Sequence, residues 1–183
     1  MDMYEKTLKN DVKFKGKILQ VEEVEVELPN GKSATREVVK HSGAVCIAAI
    51  TAENEFIFVK QFRCPFSKVI LELPAGQLEN GKDDPISDSQ RELKEETGAI
   101  GVNYVNLGKM YMSPGYSSEE IFLFLCSVKE FGETCPDEDE FLEVVKIPVD
   151  KAYSMVLNNE IEDAKTQIGV IKAYNYLLKN RNR

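Results

Sequence analysis

The chain has 183 residues, of which 43% are hydrophobic and 30% charged, and this composition predicts one ordinary globular protein with a proper core. Its net charge of −8 argues against nucleic acid as a partner, because phosphate binding depends on clustered lysine and arginine. No apolar run approaches the roughly 20 residues that span a bilayer, and the first residues lack the apolar core of a signal peptide. We therefore expect a cytoplasmic protein with no membrane partner.

Strands are predicted through the first part of the chain. Apolar and polar residues alternate on both sides of Pro29-Asn30-Gly31, a turn signal, which predicts an antiparallel hairpin or meander. The continuous apolar run GAVCIAAI (43–50) predicts a strand buried on both faces. EFIFVKQFR (55–63) predicts a further strand, and VILELPAG (69–76) a short one that ends at a glycine.

A helix is predicted over residues 85–97. Asp84 is a suitable N-cap, Pro85 suits the first helical position, and Gly98 fits just past the end. Ile86 and Leu93 are seven residues apart, so we expect them to share the face that docks on the core.

Three more strand-like segments follow the helix, and helical spacing of apolar residues begins after Asp150. The three segments are VNYVNLGKMYM, EIFLFLCSVKEF and FLEVVKIPV. The order of elements predicts an α/β (α+β) fold, a mixed β-sheet sandwich flanked by helices, with an N-terminal antiparallel β hairpin or sheet.

Three glutamates lie on one face of the predicted helix. Glu92, Glu95 and Glu96 stand at positions i, i+3 and i+4, and Arg91 is spaced to pair with Glu95. Spacing alone leaves two interpretations. The face is solvated, since like charges cost only about 0.2–0.5 kcal/mol per pair, or it is a cation site, since Mg²⁺ prefers hard oxygen ligands.

The residues around this helix resemble the Nudix box, the signature of Nudix hydrolases: G, five residues, E, seven residues, then R-E-apolar-x-E-E-x-G-apolar. RELKEETGA (91–99) matches the second half at every position, and ELPAG, with Gly76, is typical of the segment before it. The first half differs. The sixth residue after Gly76 is Lys82, and the loop is one residue longer, with Asp83 in place of the first glutamate. The role of Asp83 stays open.

The resemblance implies a Mg²⁺ site, with Mn²⁺ as a substitute, beside a catalytic set that includes Arg91. Its expected metal ligands are Glu92, Glu95, Glu96 and the backbone carbonyl of Ala75, and the number of ions stays open. Ions at such a site bridge a diphosphate, neutralise it and acidify an attacking water. They also explain how an acidic protein binds an acidic substrate.

Segments outside the box resemble the ADP-ribose pyrophosphatase branch of the family. They are GKSATREVVKHSGAV, FVKQFRCP and MSPGYSSEEIFLFL, with Pro114 sixteen residues after Gly98. This resemblance implies Mg²⁺-dependent hydrolysis of ADP-ribose, a small nucleoside diphosphate derivative, to AMP and ribose 5-phosphate. The residues it places at the substrate are Arg36 and Arg63, with Ser113 and Glu119 bordering the ribose pocket. Glu72 either touches the site or pairs with Arg63.

The same branch implies a catalytic base in a late acidic loop. In CPDEDEFLEV that base is Glu138, with Glu140 as the second candidate. Adenine is expected to stack on an aromatic ring, for which Phe14 and Tyr4 are both candidates. His41 has no catalytic partner in the sequence and is expected to have a structural role.

Relatives of this branch are commonly homodimers whose N-terminal sheets complete the partner's site. Residues 1–42 are therefore expected to form an N-terminal β segment for dimerisation and substrate contacts, and residues 43–183 the Nudix hydrolase domain. Two alternatives stay open: hydrolysis of another nucleotide sugar or of a dinucleotide such as NADH, and a non-catalytic Nudix-fold nucleotide sensor. The intact glutamates of the helix argue against the sensor.

Overall fold

The computed structural model describes residues 2–79, 81–135 and 141–181. Within them the strands are β1 (Lys6–Lys15), β2 (Gln20–Glu27), β3 (Ser33–Lys40), β4 (Ala44–Ile50), β5 (Glu55–Arg63), β6 (Lys68–Glu72), β7 (Ala75–Gln77), β8 (Ala99–Tyr111), β9 (Glu120–Phe131) and β10 (Leu142–Pro148). The helices are α1 (Pro85–Thr97), α2 (Val149–Leu157) and α3 (Ala164–Arg181). No helix in these residues combines the length and the apolar character that crossing a membrane requires.

The first three strands form a separate antiparallel sheet in the order β1-β2-β3. The predicted hairpin is confirmed, because β2 pairs with β3 across a turn in which Gly31 has a positive φ of 78°. β1 was not predicted, since most of its residues are polar, and its apolar side chains Leu8, Val12 and Phe14 are exposed.

The second sheet is mixed, as predicted, with the order β10-β5-β4-β9-β8. β4 and β9 are parallel, β6 pairs with β5, and β7 pairs with β4. β4 is buried on both faces. Cys46 and Ala48 belong to the core under α2 and α3, whereas Val45 and Ile47 pack with Leu93 of α1. The sheet is therefore covered by α1 on one face and by α2 and α3 on the other.

Helix α1 has the predicted bounds because both of its ends are capped locally. The Asp84 carboxylate accepts the N–H of Ser87 at 3.2 Å, and Gly98, with a φ of 70°, donates its N–H to the Lys94 carbonyl at 2.8 Å. Leu93 is fully buried, as expected. The expectation for Ile86 is wrong, because this side chain is 40% exposed. It lies in the first turn, one turn before the buried stripe begins.

The N-terminal sheet is joined to the mixed sheet through the loop between β8 and β9. The N–H of Val39 donates to the Tyr116 carbonyl at 2.8 Å, and the N–H of Ser118 donates to the Val39 carbonyl at 2.9 Å. The end of β3 is thereby held against the loop that carries Ser113 and Glu119. The domain boundary at residues 42 and 43, between β3 and β4, stays a prediction.

Candidate active site

Helix α1 lies against strand β7, and two of its glutamates contact the backbone of that strand. The carboxylate of Glu96 is only 4% exposed and accepts the N–H of Ala75 at 3.2 Å. The carboxylate of Glu92 lies directly over Gly76, where a Cβ atom would overlap it. Only glycine at position 76 allows this approach. Residues 75 and 76 therefore form the surface against which both carboxylates are held.

Arg91 organises the acidic face of α1. Its Nη1 lies 2.9 Å from the Glu95 carboxylate, and its Nη2 lies 2.9 Å from Glu92 and 3.2 Å from the buried Asp88. Nη2 also donates to the Gln77 carbonyl of β7 at 3.2 Å. Burial alone lowers the pKa of Arg91, but the negative charge of Glu92 and its neighbours outweighs burial and raises the pKa above its ordinary value. Arg91 therefore stays cationic, and the predicted contact with Glu95 is present.

The donor set at this site suits a hard divalent cation. Glu92 and Glu96 provide carboxylate oxygens beside the backbone of residues 75 and 76, and carboxylates are ligands that Mg²⁺ prefers. The Ala75 carbonyl as a ligand stays a prediction. Among the described residues, no three His, Cys, Asp or Glu side chains form a group that would hold a metal ion alone. A bound ion would therefore also take oxygen ligands from backbone, water or substrate, as Mg²⁺ usually does.

A cavity of about 340 Å³ opens beside β7. Its lining includes three residues that the sequence assigned to the site, and these are Arg63, Ala75 and Glu119, together with the box glycine Gly76. His41 and Lys165 line the same cavity. Its volume lies within the range of about 300–1,000 Å³ that small-molecule sites occupy.

Arg63 is held at the cavity by Glu72. Its Nε and Nη2 atoms lie 2.6 and 2.8 Å from the two carboxylate oxygens of Glu72, a bidentate pair. Lys165 also pairs with Glu72, and it lies 3.1 Å from Asp163. Burial alone raises the pKa of Glu72, but Arg63 and Lys165 outweigh it and lower the pKa below its ordinary value. Of the two expectations for Glu72, the structure places it as the partner of Arg63.

The other substrate residues expected from the sequence lie in two places. Ser113 starts the loop before β9, where its carbonyl accepts the N–H of Tyr116 at 3.1 Å, and Glu119 lines the cavity at the end of that loop. Arg36 lies on β3 and forms a salt bridge of 2.6 Å with Glu5. Among the residues described, Arg36 is not part of the lining of this cavity.

The two candidates for the catalytic base, Glu138 and Glu140, lie outside the described residues. The residues that flank them are placed. Cys135 donates its N–H to the Glu95 carbonyl of α1 at 3.0 Å, and Leu142 begins β10 opposite Gln61 of β5.

The aromatic candidates for adenine stacking, Tyr4 and Phe14, are both exposed in the N-terminal region. Neither contributes to the described lining of the cavity beside β7. Which of them meets the base stays a prediction.

Lys165 and Asp163 have no role in the predictions from the sequence. Asp163 precedes α3. Its carboxylate accepts hydrogen bonds from the N–H of Thr166 at 2.9 Å and from the hydroxyl of Thr166 at 2.6 Å. The Thr166 hydroxyl oxygen in turn accepts the N–H of Leu73 at 2.8 Å, so the start of α3 is fixed beside β6. The segment DAKT signals a helix start. It does not reveal that Lys165 reaches Glu72, because that contact depends on the tertiary fold.

The lengthened box loop forms a short 3-10 turn, Gly81–Asp83. Asp83 is exposed there, whereas Lys82 lies 3.0 Å from the Glu120 carboxylate at the start of β9. Lys82 thus anchors the lengthened loop to the mixed sheet, and the role of Asp83 stays open.

Comparison with known proteins identifies relatives across nearly the whole chain. A family model described as the NUDIX domain matches residues 40–168. An ADP-ribose pyrophosphatase of Bacillus subtilis is 42% identical over 169 residues, which cover 91% of this chain and 90% of the relative. A methanol dehydrogenase activator of Bacillus methanolicus is 40% identical over 168 residues, with 91% and 90% coverage. A crystal structure of an ADP compounds hydrolase has the same fold, with a TM-score of 0.85 over 98% of both chains at 20% identity.

Proposed function

Because this chain belongs to the Nudix hydrolase family, we propose that it hydrolyses the diphosphate bond of ADP-ribose to AMP and ribose 5-phosphate. The observation that carries the proposal is the position of Glu92 and Glu96 against the Ala75–Gly76 backbone, at the wall of a cavity that Arg63 also lines. The similarity to the Bacillus subtilis ADP-ribose pyrophosphatase, which spans most of both chains, supports the choice of substrate.

Nudix hydrolases generally use divalent metal ions, and we propose Mg²⁺, with Mn²⁺ as a substitute. Glu92, Glu96 and the Ala75 carbonyl would hold the metal, with Glu95 sharing the site. When bound, the metal polarises the diphosphate and makes a bound water more acidic. Arg91 keeps Glu92 and Glu95 on the face of α1 by pairing with both of them.

Arg63 is the group we assign to the phosphates. Glu72 fixes its Nε and Nη2, which leaves the N–H groups of Nη1 to donate to substrate oxygens. Lys165 adds a second positive charge to the same cavity. Because Glu72 and Asp163 balance the charges of these two cations, the offset of the diphosphate charge would come from the bound metal.

The ribose and the adenine of the substrate are assigned to residues in the loop before β9 and in the N-terminal sheet. Ser113 and Glu119 border the distal ribose, where a carboxylate accepts hydrogen bonds from sugar hydroxyls. Glu138 is the proposed catalytic base that activates the attacking water, and Glu140 is the second candidate.

We further propose a cytoplasmic homodimer in which residues 1–42 form the contact. The exposed apolar residues of β1 and the position of Arg36 away from the cavity lining support this arrangement, since the arginine would then reach the partner's site.

A substrate panel tests the function. Purified protein with Mg²⁺ is supplied with ADP-ribose, NADH and a nucleotide sugar such as GDP-mannose, and the mononucleotide released is measured over time. ADP-ribose should be cleaved fastest and release AMP. Equal rates across the panel would contradict the substrate assignment. A protein that binds nucleotides but turns over none of them, with Mg²⁺ or Mn²⁺, would instead be the sensor.

A further inference from the structure

His41 lies at the junction between β3 and β4, and its ring is fixed in one orientation and one tautomer. Its backbone N–H donates to the Ser118 hydroxyl at 3.1 Å, and its Nδ1 accepts the N–H of Gly43 at 3.0 Å. Gly43 has a φ of 102°, a conformation that favours glycine. Because Nδ1 acts as an acceptor, the proton of the neutral imidazole is on Nε2.

The ring of His41 lines the cavity together with Glu119, and its side chain is only 14% exposed. Nδ1 lies 3.8 Å from the nearer carboxylate oxygen of Glu119, which is too far for a hydrogen bond. No described residue accepts a hydrogen bond from Nε2. The cavity wall therefore holds an acceptor, Glu119, beside an imidazole whose one donor has no partner in the described protein.

We propose that the Nε2–H of His41 binds the distal ribose of the substrate and, with Glu119, determines specificity for a free sugar hydroxyl. A hydroxyl group both donates and accepts, so it can give its proton to Glu119 and accept the hydrogen of His41. A phosphate oxygen at the same place would only accept and would be repelled by Glu119. This inference rests on the proposed function, and it adds to the structural role that the sequence predicted for His41.

Two substitutions test the roles of the two ring nitrogen atoms one at a time. His41→Asn keeps an acceptor near the Nδ1 position for the Gly43 N–H but removes the donor. His41→Gln keeps an N–H donor near the Nε2 position but loses the Nδ1 acceptor. We expect His41→Asn to fold like the native protein and to bind ADP-ribose roughly tenfold more weakly. His41→Gln should keep more of the affinity and melt at a lower temperature.

The readouts, all with Mg²⁺ present, are the KM for ADP-ribose and the dissociation constants of its two products, ribose 5-phosphate and AMP, which calorimetry on the full chain measures without any hydrolysis. ADP-ribose, ribose 5-phosphate and AMP are compared. His41→Asn should weaken the first two ligands and leave AMP unchanged. Equal weakening of all three, or native affinity for ribose 5-phosphate, would overturn the proposal. Failure of the native protein to bind ADP-ribose would overturn the proposed function as well, so the two failures are distinguishable.

Discussion

Two charged clusters lie beside the cavity, and they are built in opposite ways. Around Arg91, one cation pairs with the carboxylates of Asp88, Glu92 and Glu95, all within four residues on α1. Around Glu72, one buried anion pairs with Arg63 of β5 and with Lys165 of α3. The first cluster is local, partly exposed and has an excess of negative charge. The second is long-range and buried, and its charges balance once Asp163 is counted.

This difference assigns catalysis to the Arg91 cluster and stability of the fold to the Glu72 cluster. Excess negative charge at the Arg91 cluster favours a cation, so altering it should change activity more than stability. The Glu72 cluster holds Arg63 and the start of α3 in place, so altering it should change stability first. Five predictions test this division, from the largest expected effect to the smallest.

Glu96→Gln should reduce turnover of ADP-ribose on the order of 10²–10³-fold, because an amide is a poor ligand for a hard divalent ion. The melting temperature should stay unchanged or rise, since one like charge is removed from the helix face. Activity assays and thermal melts measure the two effects. Glu53→Gln, in an exposed turn, is the control and should match the native protein in both. An active but unstable Glu96→Gln protein would identify the helix face as structural.

Gly76→Ala should reduce turnover about 10²-fold with little change in stability. The added Cβ would overlap the Glu92 carboxylate, which is the end of a flexible side chain and would have to move away from residue 76. The Mg²⁺ concentration that gives half-maximal activity should rise. Gly132→Ala, where a Cβ makes only an ordinary contact, is the matched control. Native activity in Gly76→Ala would show that Glu92 is not a ligand of the proposed metal ion.

Glu72→Gln should destabilise the fold by about 3 kcal/mol, because it leaves two cations without their buried counter-charge. Urea unfolding measures the loss. Glu143→Gln removes the partner of Lys60 in an exposed pair and should change stability by less than about 1 kcal/mol. If the two variants lose the same amount, the Glu72 cluster does not stabilise the fold.

The stability that Glu72 adds should depend on pH in a defined direction. Its pKa is lowered on folding from the ordinary value of 4.5, so its contribution is complete above about pH 4.5 and is lost as pH falls through the lower folded value. The difference in unfolding free energy between the native protein and Glu72→Gln should therefore shrink below that pH. A difference that grows on acidification would contradict the lowered pKa.

Asp83→Asn and Lys82→Met should have the smallest effects. Asp83 is exposed, and the pair of Lys82 with Glu120 is a surface salt bridge worth at most about 1 kcal/mol. Turnover should stay within about twofold of the native rate in both variants. A loss of tenfold or more in Asp83→Asn alone would give this residue the part of the first box glutamate.

The two clusters also mark what the sequence predicts and what it does not. The bounds of α1 and the pair between Arg91 and Glu95 follow from caps and spacing within one helix, and both are confirmed. The pair between Glu72 and Lys165 joins residues 93 positions apart and depends on how α3 packs against the sheet.

The other differences between the sequence predictions and the structure each have their own cause. β1 was missed because it has few apolar residues and all of these are exposed, so that little hydrophobic periodicity marks it. Ile86 has the right spacing for the core, but the buried stripe of α1 begins a turn later. The role that we propose for His41 has no sequence signal, because it depends on Gly43 and on a cavity formed by distant strands.

The contact between Gly76 and Glu92 also constrains how this chain can change over time. The two positions lie on different elements but share one volume, so a larger residue at 76 displaces the carboxylate at 92. Each single change therefore removes the same contact, whichever of the two is made first. A double-mutant cycle with Gly76→Ala and Glu92→Ala should be strongly non-additive in activity. Either change alone already takes the Glu92 carboxylate from its position, so the second change should cause little further loss.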